Sequence, residues 1–224
     1  NASFFYGAGF TTARNDDGST TLDWNGTSSS GIKGVDVAQS MVDIAKNKSF
    51  MAIKDGDSAN QIASGKLAAI VSGTWDANAV QEQFGDGYAA TSIPTYTCNG
   101  QQVDMASSSG YKFWGVNKNS KNVGWAMKLA MFLINKDSQM ERFKAGAAGP
   151  ANKEDMASSD VQNNIAVSAI LQQNAKKGVV QMVTQTYWDN TATFGAKIAK
   201  GNPDNEDLQK LLDDLVTACA QKSE

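Results

Sequence analysis

Histidine is absent from the 224-residue sequence, and cysteine occurs only at Cys98 and Cys219. The lack of histidine excludes every catalytic triad and zinc site that uses this residue, the commonest general base and metal ligand. Two cysteines without CxxC spacing cannot supply a four-thiolate metal site. They leave two alternatives, one disulfide or two separate thiols. Cys219 continues a leucine stripe on a predicted helix, where a cysteine often serves as a small core side chain.

Charge clusters and long apolar runs are also missing. The 20 Lys and Arg residues stand against 23 Asp and Glu residues, and the formal net charge is -3. Because the basic residues form no patch, a nucleic-acid partner is not expected. No apolar run approaches the roughly 20 residues that span a bilayer. The first residues do not have the pattern of a secretion leader, so we expect none within this sequence. We expect a soluble, mature polypeptide that needs no cofactor or metal.

Residues 58–84 predict a helix, a strand, a turn and a second helix in succession. Ser58 is placed to cap the first helix. The apolar run 67–71 is too short for a core helix and favours a strand covered on both faces, as in a parallel sheet. Asp76 is placed to cap the second helix. Trp75 is therefore expected in a strand-to-helix turn, where open α/β sheets bind their ligands.

Aromatic residues near this turn and at the start of the chain have two interpretations each. Trp75 either covers the sheet or offers a flat apolar face for stacking, with its indole N–H free for a polar partner. Phe4, Phe5 and Tyr6 stand beside two glycines, in a stretch predicted to be loop and short strand rather than helix. These three residues either take part in ligand binding or form a folded hydrophobic anchor.

The rest of the chain alternates between helical periods and short apolar runs, which predicts an α/β layer with a helix-rich C-terminal end. Helix 121–135 is apolar on two sides and so requires cover on both. Further helices are predicted over 34–45, from Ser138, and over 161–177, 190–200 and 204–221. Strands are predicted over 20–24, as part of a hairpin after the turn signal 16–18, and over 88–93 and 111–116.

Several of these stretches resemble the extracellular solute-binding proteins of the maltose/maltodextrin-binding family. GKLAAIVSGTWDANAV looks like the family's segment that leads to a tryptophan, and GVDVAQSMVDIAKN looks like the helix before it. YKFWGVNKNSKNVGWAMKLAMFLINKDSQMERF is similar to a strand, turn and helix pair, and QTYWDN resembles the late aromatic segment. The resemblance implies a type II periplasmic-binding-protein-like fold.

The resemblance also implies the residues that bind the sugar. Trp75 and Trp188 match two tryptophans that the family places against sugar rings, and Tyr187 adjoins the second. Tyr6, with Phe5 beside it, lies where the family has another aromatic pair. A glucose ring has an apolar C–H face that stacks on aromatic rings, whereas its hydroxyls need polar partners.

Domain organisation follows from the same resemblance. Residues 1–104 and 156–224 are expected to form the second lobe of such a protein, and residues 105–155 an excursion into a first lobe that is otherwise missing. We therefore expect this chain either to recruit the missing N-terminal segment or to self-associate through 111–144.

The function implied is that of the sugar-binding component of an ATP-driven (ABC) importer. It binds maltose or maltodextrin-like oligosaccharides by aromatic stacking in a cleft between lobes and delivers them to a membrane permease. It acts outside the cell, lipid-anchored at the surface or in the periplasm, and is not an enzyme. One alternative is a surface adhesion or sensor module on the same fold. A remote alternative is a glycoside hydrolase that uses Asp76 and Asp189.

Overall fold

The computed structural model describes residues 1–53, 56–146 and 148–222. Within these residues it contains eleven α-helices and six three-residue strands. The helices are α1 Ala2–Gly7, α2 Gly34–Ala45, α3 Ser58–Ala63, α4 Ala77–Phe84, α5 Val123–Leu133, α6 Lys136–Gly146, α7 Lys153–Met156, α8 Ser159–Gln162, α9 Ile165–Lys177, α10 Gln185–Ile198 and α11 Leu208–Cys219. The strands are β1 Thr12–Arg14, β2 Thr20–Leu22, β3 Tyr96–Cys98, β4 Gln101–Val103, β5 Ser107–Ser109 and β6 Gly178–Val180.

The chain forms two compact units. Unit 1 comprises residues 1–52, 93–109 and 173–224, and unit 2 comprises residues 53–92 and 110–172. The division into lobes expected from the sequence stays a prediction, because lobes are defined against a complete relative.

Unit 1 contains all six strands. β1 and β2 pair in an antiparallel hairpin, as do β3 and β4, whereas β5 and β6 pair in parallel. The β3–β4 turn consists of Asn99 and Gly100, whose φ angles of 47° and 78° give the twist that two-residue hairpins require. The hairpin predicted around residues 20–24 is confirmed.

The core of unit 1 forms around Trp24, which has no exposed surface. Phe5 stacks on its indole with ring centroids 4.3 Å apart and an interplanar angle of 2°. Gly34, at the start of α2, passes so close that a Cβ there would lie 1.7 Å from the Trp24 carbonyl oxygen. A glycine is therefore required at this position for α2 to approach the indole.

Periodicity predicted the helices around this core well. α2 buries Val37, Ala38, Met41 and Val42, as its helical stripe requires. α11 begins after Asp207, whose carboxylate accepts hydrogen bonds from the backbone N–H groups of two following residues, at 2.8 and 3.2 Å. α10 begins at Gln185 rather than near 190, so the late aromatic segment is helical.

The start of the chain differs from the sequence prediction. Residues 2–7 form α1 rather than loop and short strand, and Phe5 and Tyr6 are both buried. A six-residue helix is marginal by itself, so tertiary packing on Trp24 stabilises it. Such packing leaves no period that sequence analysis detects.

The three strands predicted in or next to unit 2 are wrong as assigned. Residues 67–71, 88–93 and 111–116 carry no strand, and Val71 and Phe113 are exposed. A strand exists only when a neighbour pairs with its N–H and C=O groups. Unit 2 offers no such neighbour among its described residues.

The structure decides between the two alternatives for the cysteines. Cys98 and Cys219 are both buried and free, so they are separate thiols and not a disulfide.

Across the part of the chain that the structure describes, no helix has the length and apolarity to cross a membrane.

Candidate functional site

Trp188 is a half-exposed indole on the first turns of α10 in unit 1, with 52% of its surface accessible. Tyr187 holds it from behind, because the two rings meet edge-on with centroids 5.2 Å apart. Tyr187 itself is buried and meets Trp24 edge-on at 6.0 Å. Trp188 is thus anchored to the core through Tyr187, while about half of its surface is available to solvent.

Two buried phenols lie behind this platform. The Tyr187 hydroxyl accepts a hydrogen bond from Gln181 Nε2 at 2.8 Å, and the Tyr6 hydroxyl shares one with Thr12 Oγ1 at 2.8 Å. Burial raises the pKa of both phenols, and for Tyr6 the hydrogen bond to Thr12 opposes the shift. Both remain neutral near pH 7 and act only as hydrogen-bonding groups.

Phe5 has no exposed surface and lies between Trp24 and Phe10 in the core. Unit 1 therefore brings together four of the five residues predicted to bind ligand: Phe5, Tyr6, Tyr187 and Trp188. Of these, Trp188 alone is open to a large ligand in this conformation. The binding role of all four stays a prediction.

Trp75, the fifth residue, belongs to unit 2 and is 75% exposed. It lies in the 3-10 turn Thr74–Asp76, which leads directly into α4, so the turn before a helix is confirmed although the strand before it is not. Its ring lies over the backbone of Gly73, where a Cβ would come within 2.3 Å of Trp75 Cζ3. Ser72 Oγ donates to the buried Asp76 carboxylate at 2.5 Å and closes the turn.

Trp24 is the residue that sequence reasoning missed. It is the common neighbour of Phe5, Tyr6 and Tyr187 and therefore positions the platform. The sequence held one signal for it. Gly34 stands at the start of an amphipathic helix, and a glycine in a helical pattern often has a packing reason.

Other kinds of site find little support in the described parts of the chain. They contain no group of three or more Cys, Asp or Glu side chains arranged to hold a metal ion. A cavity of about 350 Å³ in unit 1 is lined by α2 and the segment before α11, and none of the five predicted residues lines it. The exposed aromatic platforms remain the best candidate for ligand binding.

Comparison with known proteins agrees with a role in ligand binding. A family model for bacterial extracellular solute-binding proteins matches residues 2–169. The galactooligosaccharide-binding protein of Bacillus subtilis (strain 168) is 33% identical over 110 residues, which cover 49% of this chain and 25% of that protein. A maltooligosaccharide ABC transporter solute-binding lipoprotein of Streptococcus pneumoniae serotype 4 is 28% identical over 131 residues, which cover 58% of this chain and 30% of that protein.

A solved structure extends the likeness to nearly the whole chain. The maltodextrin-binding protein MalE1 from L. casei BL23, solved without ligand, superposes with a TM-score of 0.72 at 21% identity. The match covers 98% of this chain and 59% of that one. At such identity the likeness shows the fold alone, and it confirms the α/β, periplasmic-binding-protein-like class predicted from the sequence. The chain thus spans well under two thirds of the matched structure.

Proposed function

Since the chain belongs to the bacterial extracellular solute-binding protein family, whose model matches three quarters of it, we propose that it binds maltodextrin-type oligosaccharides for an ABC importer. Two sequence relatives are named for binding oligosaccharides, and one of these is named as part of an ABC transporter. The sugar-binding class is common to both names. The choice of α-linked glucose oligomers within that class is our proposal.

The observation that carries the proposal is the half-exposed Trp188 seated edge-on against the buried Tyr187. A rigid indole presents a flat apolar area at a low cost in conformational entropy. The C–H face of a pyranose stacks on such an area, and no net charge is needed in the ligand. Trp75 offers a second platform of the same kind in unit 2, held in place by its contact with the Gly73 backbone.

The buried phenols define the second part of the proposal. Tyr187 and Tyr6 keep their protons and share hydrogen bonds with Gln181 and Thr12. We assign Phe5 to the support of the Trp188 platform. We assign Tyr187 and Tyr6 to the same support and, through their hydroxyls, to hydrogen bonding with sugar hydroxyls that reach them. A ligand that meets only neutral donors and acceptors is itself expected to be neutral.

Hydrolysis is not proposed. The relatives are named as binding proteins and not as enzymes. The two carboxylates beside the tryptophans also have local structural partners, because Asp76 accepts from Ser72 Oγ at 2.5 Å and Asp189 accepts from Gln185 Nε2 at 2.9 Å.

The family description and the name of one relative support a proposal for location and partners. Family members act outside the cell, and the pneumococcal relative is named a lipoprotein. We propose that this protein works at the cell surface or in the periplasm, that a lipid anchor holds it there, and that a membrane permease accepts its sugar.

Maltotriose titration followed by tryptophan emission tests the proposal. We expect saturable binding to the protein, and no binding of a charged sugar such as glucuronic acid. Trp188→Ala and Trp75→Ala should each weaken binding by about tenfold to a hundredfold, which corresponds to roughly 1–3 kcal/mol by analogy with bases stacked on aromatic rings. Trp125 is exposed to about the same extent as Trp75 and lies outside the candidate site, so Trp125→Ala is the control variant and should leave the affinity unchanged. Equal affinities for all four proteins would refute the stacking assignment.

A further inference from the structure

The sequence contains two Asn-Gly pairs, Asn25-Gly26 and Asn99-Gly100. Asparagine undergoes a spontaneous reaction in which the backbone nitrogen of the next residue attacks the side-chain amide. Glycine favours this reaction, because it has no Cβ and lets other atoms approach its backbone closely. Both pairs share this chemistry, so the fold decides which of them reacts.

Asn99 and Gly100 form the exposed tip of the β3–β4 hairpin. In the part of the chain that the structure describes, no hydrogen bond holds the Asn99 side chain or the Gly100 N–H. A Cβ at Gly100 would meet no atom within 4 Å, so the space beside the attacking nitrogen is open. Loop tips of this kind open locally at little cost in free energy. Such opening lets the nitrogen reach the side-chain carbon.

Asn25 and Gly26, by contrast, are held at three atoms. Asn25 Nδ2 donates to Asp213 Oδ1 at 2.8 Å, and the Asn25 carbonyl oxygen accepts from Gln209 Nε2 at 2.8 Å. The Gly26 N–H donates to the Asp23 carbonyl oxygen at 3.1 Å. The amide group that would leave and the nitrogen that would attack are therefore both engaged in hydrogen bonds.

We propose that Asn99 is a site of spontaneous deamidation, with Gly100 as the attacking residue, and that the fold protects Asn25 from the same reaction. The Gly100 nitrogen loses its proton to solvent base and forms a bond to Cγ of Asn99. The bond from Cγ to Nδ2 breaks, and the nitrogen takes a proton from solvent and leaves as ammonia. Water then opens the cyclic imide at either of its carbonyl carbons, which gives aspartate or isoaspartate at position 99.

The isoaspartate product changes the turn. It adds the Cβ of the residue to the main chain, so the lengthened turn no longer matches the twist of the two strands. The buried Tyr96 on β3 donates its hydroxyl to the Phe4 carbonyl oxygen at 3.0 Å and meets the Phe4 ring edge-on, with centroids 4.8 Å apart. Deamidation at the tip therefore loosens the contact between the hairpin and α1.

Incubation in heavy-oxygen water at mildly alkaline pH, followed by mass spectrometry of peptides, tests the site. Oxygen from the heavy water marks deamidation that took place before sample preparation. In the folded protein we expect Asn99 to react about 100-fold faster than Asn25, because the hydrogen bonds at Asn25 and Gly26 must break first. In urea, where the fold is lost, the two rates should agree within about threefold.

Two results would overturn the proposal. One is equal rates for Asn99 and Asn25 in the folded protein. The other is a rate for Asn99 in the folded protein that is more than about tenfold below its rate in urea, because the hairpin would then protect the side chain.

Variants on α11 test the cause of the protection. Asp213→Ala combined with Gln209→Ala removes two of the three hydrogen bonds and should speed the reaction of Asn25 by about tenfold or more. Asp214→Ala is the matched control, because this carboxylate pairs with a lysine of the same helix, and it should leave the rate unchanged. An unchanged Asn25 rate in the double variant would show that these bonds do not protect it.

Thermal unfolding tests the consequence for the hairpin. Protein incubated until Asn99 has reacted should unfold at a lower temperature than fresh protein. Fresh Asn99→Asp protein, which carries aspartate in a turn of normal length, should unfold like the fresh parent. Equal unfolding temperatures for the incubated and fresh parent proteins would show that the reaction leaves the hairpin intact and would overturn this consequence.

Discussion

Trp24 in unit 1 and Trp125 in unit 2 show two opposite uses of the same residue. Trp24 has no accessible surface, whereas 73% of Trp125 is exposed. Trp24 is enclosed by Phe5, Tyr6 and Tyr187, whereas the Trp125 ring is contacted by the Lys128 ammonium, 4.8 Å from its centroid. The difference comes from the neighbours that each unit supplies and not from the residue.

Helices α2 and α5 repeat the contrast. α5 has the more apolar sequence, yet α2 buries six of its twelve residues and α5 buries none. α2 contacts α1, α10 and α11 of its own unit, and α5 has few neighbours beyond α6. An apolar composition alone thus does not bury a helix, because burial also needs neighbouring elements that pack against it.

Replacing Trp24 and Trp125 by alanine should show the difference between the two units most clearly. Trp24→Ala leaves a cavity in the core of unit 1, and we expect it to lower the free energy of unfolding by about 3–5 kcal/mol. Trp125→Ala should change that free energy by no more than about 0.5 kcal/mol. Urea unfolding followed by circular dichroism measures both. Similar losses for the two variants would abolish the contrast between the units.

Replacing a glycine by alanine in α2 or in α5 should change stability by different but smaller amounts. Gly34→Ala places its Cβ 1.7 Å from the Trp24 carbonyl oxygen, and the backbone shift that follows should cost about 1–3 kcal/mol. Gly124→Ala lies in α5 with nothing within 4 Å, so its better helix propensity should be neutral or stabilise by up to about 1 kcal/mol. Thermal unfolding compares the two. A tolerated alanine at position 34 would contradict the close approach of α2.

Alkaline pH should weaken unit 1 by a smaller and graded amount. Burial raises the pKa of the Cys219 thiol to about 11 and raises the pKa of the phenols of Tyr6, Tyr96 and Tyr187. The folded chain holds these protons more tightly than the unfolded chain. The contribution of these buried groups to the free energy of unfolding is therefore fully present below about pH 9. It falls as the pH rises, by less than about 1.4 kcal/mol per pH unit for each group.

Unfolding in urea at several values between pH 8 and 11 measures this loss. Tyr187→Phe removes one of the buried phenols and should make the decline shallower. Tyr111→Phe, at an exposed position in unit 2, should leave the curve as it is. A decline that both substitutions alter equally would show that burial in unit 1 is not its cause.

Local sequence rules predicted the parts of the fold that depend on near neighbours. The stripe of α2, the leucine stripe of α11 and the glycine turn of the β1–β2 hairpin need only residues a few positions apart. The turn that carries Trp75 is of the same kind: Asp76 takes the N-cap position of α4, although its carboxylate accepts from Ser72 Oγ and does not cap the helix. Residues close together in the sequence were therefore sufficient to predict these elements.

Long-range pairing decided everything that the sequence rules missed. The amino-acid sequence by itself determined the family, the helical periods and the aromatic residues of the candidate site. Only the tertiary structure showed that Phe5, Tyr6 and Tyr187 are buried around Trp24 while Trp188 and Trp75 are exposed. It also showed that 67–71 and 111–116 are not strands. The physical reason is that burial and sheet pairing are properties of a residue together with its partners, and those partners are distant in sequence.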